Sequence, residues 1–287
     1  MEKYSRWRDA GTGIQPFLPP VPPRTDSSFL VTLSNIVHTI AGSVQGLIKL
    51  PVILLLSLCY VLFVSILGTL LTPIKPLKRA WQTLFSTILT RCILFFMGFF
   101  HIKTETVSIR KSRGNIKSGS VKDGDIIISN WTSYVDILYL AYKFNPVFTQ
   151  VYSNTTQVKK ISLWQAIRSV NQIPPATPTS TVYDIKELSL KAKEQGWGPI
   201  VIFPEGTTTN GRALLKFVPL SFDDVDLNRF HLLSFNLNVR MLAKGELDSD
   251  ILASLGHLSK LRKTNLTMND KRDFLVYYES RNKKKAA

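Results

Sequence analysis

Acidic residues are scarce in this chain: 20 Asp plus Glu stand against 36 Lys plus Arg, a formal net charge of +16 on 287 residues. That surplus points to anionic partners, whether nucleic acid, anionic membrane or phosphorylated small substrates. Cysteine is scarcer still. Cys59 and Cys92 both sit inside apolar runs, which excludes a disulfide-stapled secreted scaffold and a Cys-based zinc site. There is no internal repeat and no GxGxxG, P-loop or HExxH signature. A nucleic-acid reading finds no recognition motif to support it. What is not scarce is apolar content, at 45%, so the low hydrophobicity that marks disorder is absent. The length allows one large α/β domain or two small ones, with a real core.

The hydrophobicity is concentrated. No charged residue falls between Leu50 and Ile74, and the stretch from Val52 to Thr72 reads VILLLSLCYVLFVSILGTLLT between Pro51 and Pro73. As a helix it spans about 31 Å, close to the roughly 30 Å hydrocarbon core of a bilayer. It starts too far into the chain and runs too long for the h-region of a signal peptide. The expectation is a membrane anchor over residues 41–103, with a span at about 52–72. A second apolar stretch, about 80–102, is broken by Arg91, a costly residue at mid-bilayer. It is expected to be an interfacial helix or the second arm of a hairpin. Lys49, Lys75, Lys78, Arg79, Lys103, Arg110 and Lys111 place base on every side, so the positive-inside rule has no asymmetry to read. Residues 1–40, with Pro16, Pro19, Pro20, Pro22 and Pro23, are expected to form a polar, proline-rich tail.

From residue 104 to about 280 the pattern becomes that of an α/β domain with a mixed sheet flanked by helices, followed by a basic tail at 281–287. Short apolar runs at Asp125–Asn130, Val147–Tyr152 and Pro199–Phe203 read as buried strands, with later strands at Asn236–Ala243 and Asp273–Tyr278. Thr132 or Ser133 caps a helix through Lys143 with Asp136 in its first turn, and Tyr183–Gln195 forms an amphipathic helix stopped by Gly196. Strands alternating with helices put ligands at the carboxyl ends of the strands.

Two loops leave such ends. The first is NWTSYVD, Asn130 to Asp136. The second is FPEGTTTNGRALLKF, Phe203 to Phe217. The second offers a carboxylate (Glu205), two glycines (Gly206 and Gly211) and three hydroxyls (Thr207, Thr208 and Thr209). It adds an amide (Asn210) and two cations (Arg212 and Lys216). Glycine-bearing backbone amides beside an arginine suit a phosphate.

FPEGTTTNGRALLKF closely resembles the third motif of the PlsC-type glycerolipid acyltransferases, which include lysophosphatidate and lysophosphatidylcholine acyltransferases. NWTSYVD falls where that family has its His-x4-Asp motif, and RCILFFMGFFHI, Arg91 to Ile102, is similar to the membrane-associated helix before it. The order and spacing fit from about residue 75 to 220, and the resemblance is strongest to the fungal lipid-droplet branch acting on lysophosphatidic acid and oleoyl-CoA.

The resemblance implies an α/β domain behind an N-terminal membrane anchor, and a reaction that moves an acyl chain from acyl-CoA to the free hydroxyl of a lysophospholipid. Acyl-CoA is the co-substrate, with no metal and no further cofactor. The acceptor first implied is 1-acyl-glycerol-3-phosphate, giving phosphatidate. Lysophosphatidylinositol or another lysophospholipid is the alternative. Thr132, Ser133, Glu205, Gly206, Thr207, Asn210, Gly211, Arg212 and Lys216 are implied to bind substrate. Asp136 is kept, but Trp131 stands at the position of the motif His. An indole has one N–H donor and no basic lone pair, so Trp131 cannot act as a base. General-base catalysis contributes about 10²- to 10⁴-fold, whereas positioning contributes about 7–11 kcal/mol. Turnover through Asp136 with water, or through the acceptor's own phosphate, therefore stays open beside a second reading, a lipid- or CoA-binding protein without turnover.

The family's usual fourth motif, with its Val-Pro or Ile-Pro pair, is missing between Phe222 and Arg240. His231, in that stretch, is expected to be a core or surface histidine. The sequons at Asn130, Asn154 and Asn265 are discounted as chance triplets. The tail RNKKKAA resembles a dilysine endoplasmic-reticulum retrieval signal, and equally a basic tail drawn to anionic lipid. Both place the C-terminus at the cytosolic face of the endoplasmic reticulum or a lipid droplet.

Overall fold

The computed structural model describes residues 4–19, 28–108, 121–178, 181–222, 230–235, 240–244 and 251–286. Two compact units form, Met1–Leu18 with Ile102–Ala287, and Pro19–His101.

The second unit is helical. Helix α1 (Ser28–Tyr60) runs through Pro51, continues as a π-helical stretch at Val61–Leu67 and ends in a short α2 (Gly68–Leu70). Helix α3 (Lys75–Phe96) returns antiparallel against its end. The wide π turn redirects carbonyls out of the helix, and α3 supplies their donors. Trp81 Nε1 donates to Phe63 O (3.0 Å) and Gln82 Nε2 to Val64 O (3.4 Å). Phe63 stacks on Phe85 at 5.0 Å, and Gly68 leaves room for Gln82, which a Cβ there would strike. Arg91 lies one turn from the end of α3, and its guanidinium donates to Phe99 O (2.8 Å) and Phe100 O (2.6 Å), so the charge serves the helix terminus. The stretch from Thr32 to Leu70 is long and apolar enough to cross a membrane.

The first unit carries the sheet. Its elements, in chain order, are β1 (Thr104–Ser108), β2 (Ile126–Ser129), α4 (Tyr134–Phe144), β3 (Val147–Gln150), β4 (Lys159–Ile161), α5 (Leu163–Ser169), α6 (Ile185–Gln195), β5 (Ile200–Ile202), β6 (Ala213–Leu214), β7 (Phe230–Phe235), β8 (Arg240–Lys244), α7 (Ile251–Ser259), β9 (Arg262–Lys263) and α8 (Met268–Ala286). Seven strands form one mixed sheet in the order β1-β8-β7-β2-β5-β3-β4, while β6 and β9 pair separately. At its centre β2 is parallel to both β5 and β7, with Ile128 opposite Ile202 and Leu232. Ile126, Ile128, Ile200 and Ile202 bury one face against Ile185, Leu188 and Ala192 of α6, each fully buried side chain contributing about 1.5–3 kcal/mol. Helix α6 begins on the Asp184 cap and stops at Gly196, whose φ of 62° suits glycine.

Four expectations change. Asp273–Tyr278, expected as a strand, lies inside α8. Asp270 Oδ2 accepts from Thr267 N and Oγ1, both at 2.7 Å, and so fixes a helix start, after which only Phe274 of the run is buried and Val276, Tyr277 and Tyr278 are exposed. The expected tail at 1–40 divides. Residues 4–18 fold onto the α/β unit, whereas Ser28 onward is already helix α1. The strand expected at Asn236–Ala243 appears as Arg240–Lys244, with 236–239 outside the described residues. Part of the stretch lacking the fourth motif forms β7, and 223–229 lie outside the described residues. Most of the tail at 281–287 is the last turn of α8.

The N-terminal segment is held by its aromatic residues. Trp7, Phe17 and Phe274 form a buried cluster with Leu215. Asp9 Oδ2 accepts from Thr12 N (2.8 Å) and its Oδ1 from Asn265 N (2.9 Å). These hydrogen bonds hold the Asp9 carboxyl below its usual range, the Asn265 amide most of all. Composition alone hid this, because proline-rich sequence reads as a free tail until its aromatics find a partner surface.

Candidate active site

Because β2 and β5 are parallel neighbours, their carboxyl ends meet at one edge of the sheet, and the register carries on into the loops. Three residues past Ile128 is Trp131, and three past its partner Ile202 is Glu205. The Trp131 N–H donates to Glu205 Oε1 (3.3 Å) and the Leu215 N–H to Glu205 Oε2 (3.0 Å). Glu205 is therefore a fully buried brace between the two loops. Burial pushes its carboxyl up to about 8 against the opposing pull of those two amides. The Thr209 N–H closes the junction on Trp131 O (3.0 Å).

The Trp131 ring lies on Phe203, centroids 4.7 Å apart and planes 20° from parallel, and is only 6% exposed. Its Nε1 is buried with no hydrogen-bond partner among the described residues. Asn130 ties β2 to β7: its Nδ2 donates to Phe235 O (2.8 Å) and its Oδ1 accepts from Phe235 N (2.7 Å). That amide is fully buried, so Asn130 is no glycosylation acceptor.

Asp136 sits in the capping box that starts α4. Its Oδ2 accepts from Thr132 N (2.8 Å), Thr132 Oγ1 (2.6 Å) and Ser133 N (2.8 Å). Ser133 Oγ in turn accepts from Val135 N (3.2 Å). Asp136 thus fixes the loop carrying Trp131, and Thr132 and Ser133 are spent on that loop.

In the third-motif loop, Gly206 and Gly211 take φ of +67° and +70°, where other residues are strained. A Cβ on Gly206 would collide with Met268 Sδ, and one on Gly211 would press on Thr132 Cγ2 at 3.4 Å. Asn210 is not available to a ligand. Its Nδ2 donates to Gln15 O (2.8 Å) and Leu18 O (2.9 Å), its Oδ1 accepts from Arg212 N (3.2 Å), and its backbone N–H donates to Pro16 O (2.8 Å). That corrects its expected substrate role, because the N-terminal segment takes both amide hydrogens and Arg212 N bonds the amide oxygen. Thr207 is buried, while the Arg212 and Lys216 side chains are exposed.

A small cleft of about 10 Å³, about the room of one water molecule, lies between Trp131, Phe203 and Gly206, with Thr149, Gln150 and Ser169 on its polar side. Asp136, Arg212 and Lys216 are not among its walls. Its position matches the rule for ligands at strand carboxyl ends.

Sequence reasoning missed Lys271, which carries no motif. Its Nζ donates to Thr208 O (3.1 Å) and lies 5.3 Å from the centre of the Phe17 ring, and burial lowers its ammonium to about 8. His231 is no substitute base. Its Nε2 meets Asp125 Oδ2 (3.1 Å) at the entry of β2, about 20 Å of extended chain from Trp131. No group of three or more His, Cys, Asp and Glu among the described residues could hold a metal ion.

Residues 100–223 match the acyltransferase family model, and the chain carries a domain of that family, in which both loops lie. Among its relatives, a Schizosaccharomyces pombe protein provisionally named lysophosphatidic acid:oleoyl-CoA acyltransferase is 29% identical over 219 residues, 76% of this chain and 67% of the relative. The lysophospholipid acyltransferase LPEAT2 of Arabidopsis thaliana is 28% identical over 144 residues, half of this chain and 24% of the plant protein. No solved structure matches the chain.

Proposed function

We propose that the chain is an acyl-CoA-dependent lysophospholipid acyltransferase, with 1-acyl-glycerol-3-phosphate as its first acceptor and phosphatidate as product. The observation that carries this reading is the junction of the two motif loops over one cleft, made by the parallel β2–β5 register. The acceptor hydroxyl attacks the thioester carbonyl, the new ester C–O bond forms, the C–S bond breaks, and the hydroxyl proton ends on the CoA thiol. Trp131 cannot take that proton, and Asp136 Oδ2 already accepts three hydrogen bonds. In this reading Asp136 is a positioning residue, and the proton leaves through water or the acceptor phosphate. Losing a general base forgoes about 10²- to 10⁴-fold, and positioning, at about 7–11 kcal/mol, leaves room for turnover without it. Arg212 and Lys216 supply charge to the phosphorylated acceptor, and no cofactor is needed beyond acyl-CoA. The 39-residue apolar stretch Thr32–Leu70 supports a membrane anchor, and the dilysine tail supports the cytosolic face of the endoplasmic reticulum or a lipid droplet.

One observation favours the second reading, binding without turnover: an aromatic pair, Trp131 on Phe203, fills the place where the family keeps its base. The experiment is an assay of purified protein with labelled oleoyl-CoA against a panel of lysophospholipids. Turnover on any acceptor supports the transferase, and the preferred acceptor names the product. Binding of lysolipid with no turnover on any of them establishes the second reading.

A further inference from the structure

Helix α1 changes character at Pro51. Beyond it the sequence is apolar on every side. Before it, Phe29, Leu33, Val37, Ile40, Val44 and Leu47 recur at intervals of three and four, and at about 100° per residue they fall on an arc of about 80°. Every one of these whose side chain is described is at least 48% exposed, rising to 80% at Leu47. The opposite side carries Ser34, Thr39 and Gln45 with Gly42 and Gly46, Ser43 borders the stripe, and Lys49 is the only Asp, Glu, Lys or Arg between Ser28 and Leu50. These polar groups bond within the helix: Ser43 Oγ donates to Thr39 O (2.7 Å) and Lys49 Nζ to Gln45 Oε1 (3.3 Å).

Length gives the second constraint. The 39 residues of Thr32–Leu70 make about 58 Å of helix at 1.5 Å per residue, nearly twice the roughly 30 Å hydrocarbon core. One half is enough to cross, and the half beyond Pro51 is the one without a polar face. Proline lacks the N–H that would hold the preceding turn, so the helix is weakest at this change of pattern.

From these observations we infer that Phe29–Lys49 is an in-plane lipid-binding helix that docks on loosely packed, weakly charged lipid. In-plane helices bind through buried apolar area plus attraction of basic residues to anionic headgroups. Here the second contribution is nearly absent, so binding rests on inserting large side chains between headgroups. Gaps of that kind are frequent on curved or unsaturated surfaces and rare on flat, tightly packed ones. Continuity with the apolar segment holds the stripe beside lipid and makes lipid its occupant. This deepens the membrane part of the proposed function and rests on it.

The test uses the full-length chain carrying Cys59→Ser and Cys92→Ser, with Ile40→Cys, Val44→Cys, Thr39→Cys or Gly42→Cys added singly and labelled with an environment-sensitive fluorophore; a Cβ at Gly42 meets nothing within 4 Å. The protein is incorporated into small dioleoyl-phosphatidylcholine vesicles and into large, tightly packed saturated ones. Expected are a blue shift at positions 40 and 44 but not at 39 and 42, quenching by nitroxides placed shallow in the acyl chains, and several-fold less of both on the large vesicles. The signal should persist in high salt and without anionic lipid. Equal shielding on both faces, an absolute need for anionic lipid, or shielding that persists in detergent with crosslinks between copies would each overturn the inference. Carbonate extraction separates the two readings. Protein stripped from the vesicles defeats the anchor itself, whereas anchored protein with aqueous probes at 40 and 44 defeats only the in-plane helix.

Discussion

Trp131 stacks on Phe203 at 4.7 Å, each ring leaving the carboxyl end of one of two adjacent parallel strands. The pairing follows from register, because Ile128 faces Ile202, Phe203 follows Ile202 directly, and only Ser129 and Asn130 separate Ile128 from Trp131. A histidine in this place would present a basic nitrogen to the cleft, and an indole presents an apolar wall. The brace beneath them, Glu205, bonds among the described residues only to backbone amides of Trp131 and Leu215, so it is indifferent to the side chain at 131.

Trp131→His should therefore fold, and it restores a basic nitrogen where the family keeps one. If the acceptor reaches that nitrogen, kcat should rise by up to about 10²- to 10⁴-fold. Trp131→Ala removes the stacked ring and should lower stability by about 3–5 kcal/mol. Steady-state kinetics of the first and denaturant melts of the second check both expectations.

Asp136→Asn keeps the shape of the capping residue and weakens its acceptor. The expected loss is about 0.5–2 kcal/mol of stability, with lowered turnover and unchanged membrane partition. Lowered kcat in a fully folded variant supports the positioning role. An active wild type indifferent to the change would remove this loop from the active site.

Arg212→Ala should raise the apparent KM for a phosphorylated acceptor more than that for acyl-CoA, because a guanidinium pairs with phosphate through charge-assisted bonds. Equal effects on the two substrates would remove the phosphate role.

Deleting residues 4–18 should leave membrane partition unchanged but destabilise the α/β unit, since it strips Trp7 and Phe17 from their cluster and empties the partners of Asn210. Phe17→Ala alone should cost about 3–5 kcal/mol. Wild-type stability in the deletion would show that the segment only rests on the domain.

Two buried groups give a pH signature. Glu205, raised to about 8 from 4.5, binds more proton folded than unfolded between those values, so its contribution to stability is full below 4.5 and is lost as pH rises to 8. Lys271, lowered to about 8 from 10.5, contributes in the opposite sense, with stability lost as pH falls from 10.5 through 8. Together they place a stability minimum near pH 8. Glu205→Gln should flatten the acid-side decline and Lys271→Met the alkaline-side rise, each read from melts across pH.

The local signals were legible in the sequence. The short apolar runs became β2, β3 and β5, Ser133 with Asp136 became a capping box, Gly196 stopped α6, and FPEGTTTNGR marked the site loop. Each depends on chemistry within a few residues of itself. The tertiary structure decided what needed a distant partner. Asn210 looked like a ligand residue until Gln15 and Leu18 took its amide, and the proline-rich start looked free until Trp7 and Phe17 met Phe274. The run DFLVYY carries strand-formers, and the Thr267–Asp270 cap with one buried face made it helix. Glu205 reads as a reactive carboxylate in a one-dimensional motif, and only the parallel register, which brings the amides of Trp131 and Leu215 to its two oxygens, makes it a brace.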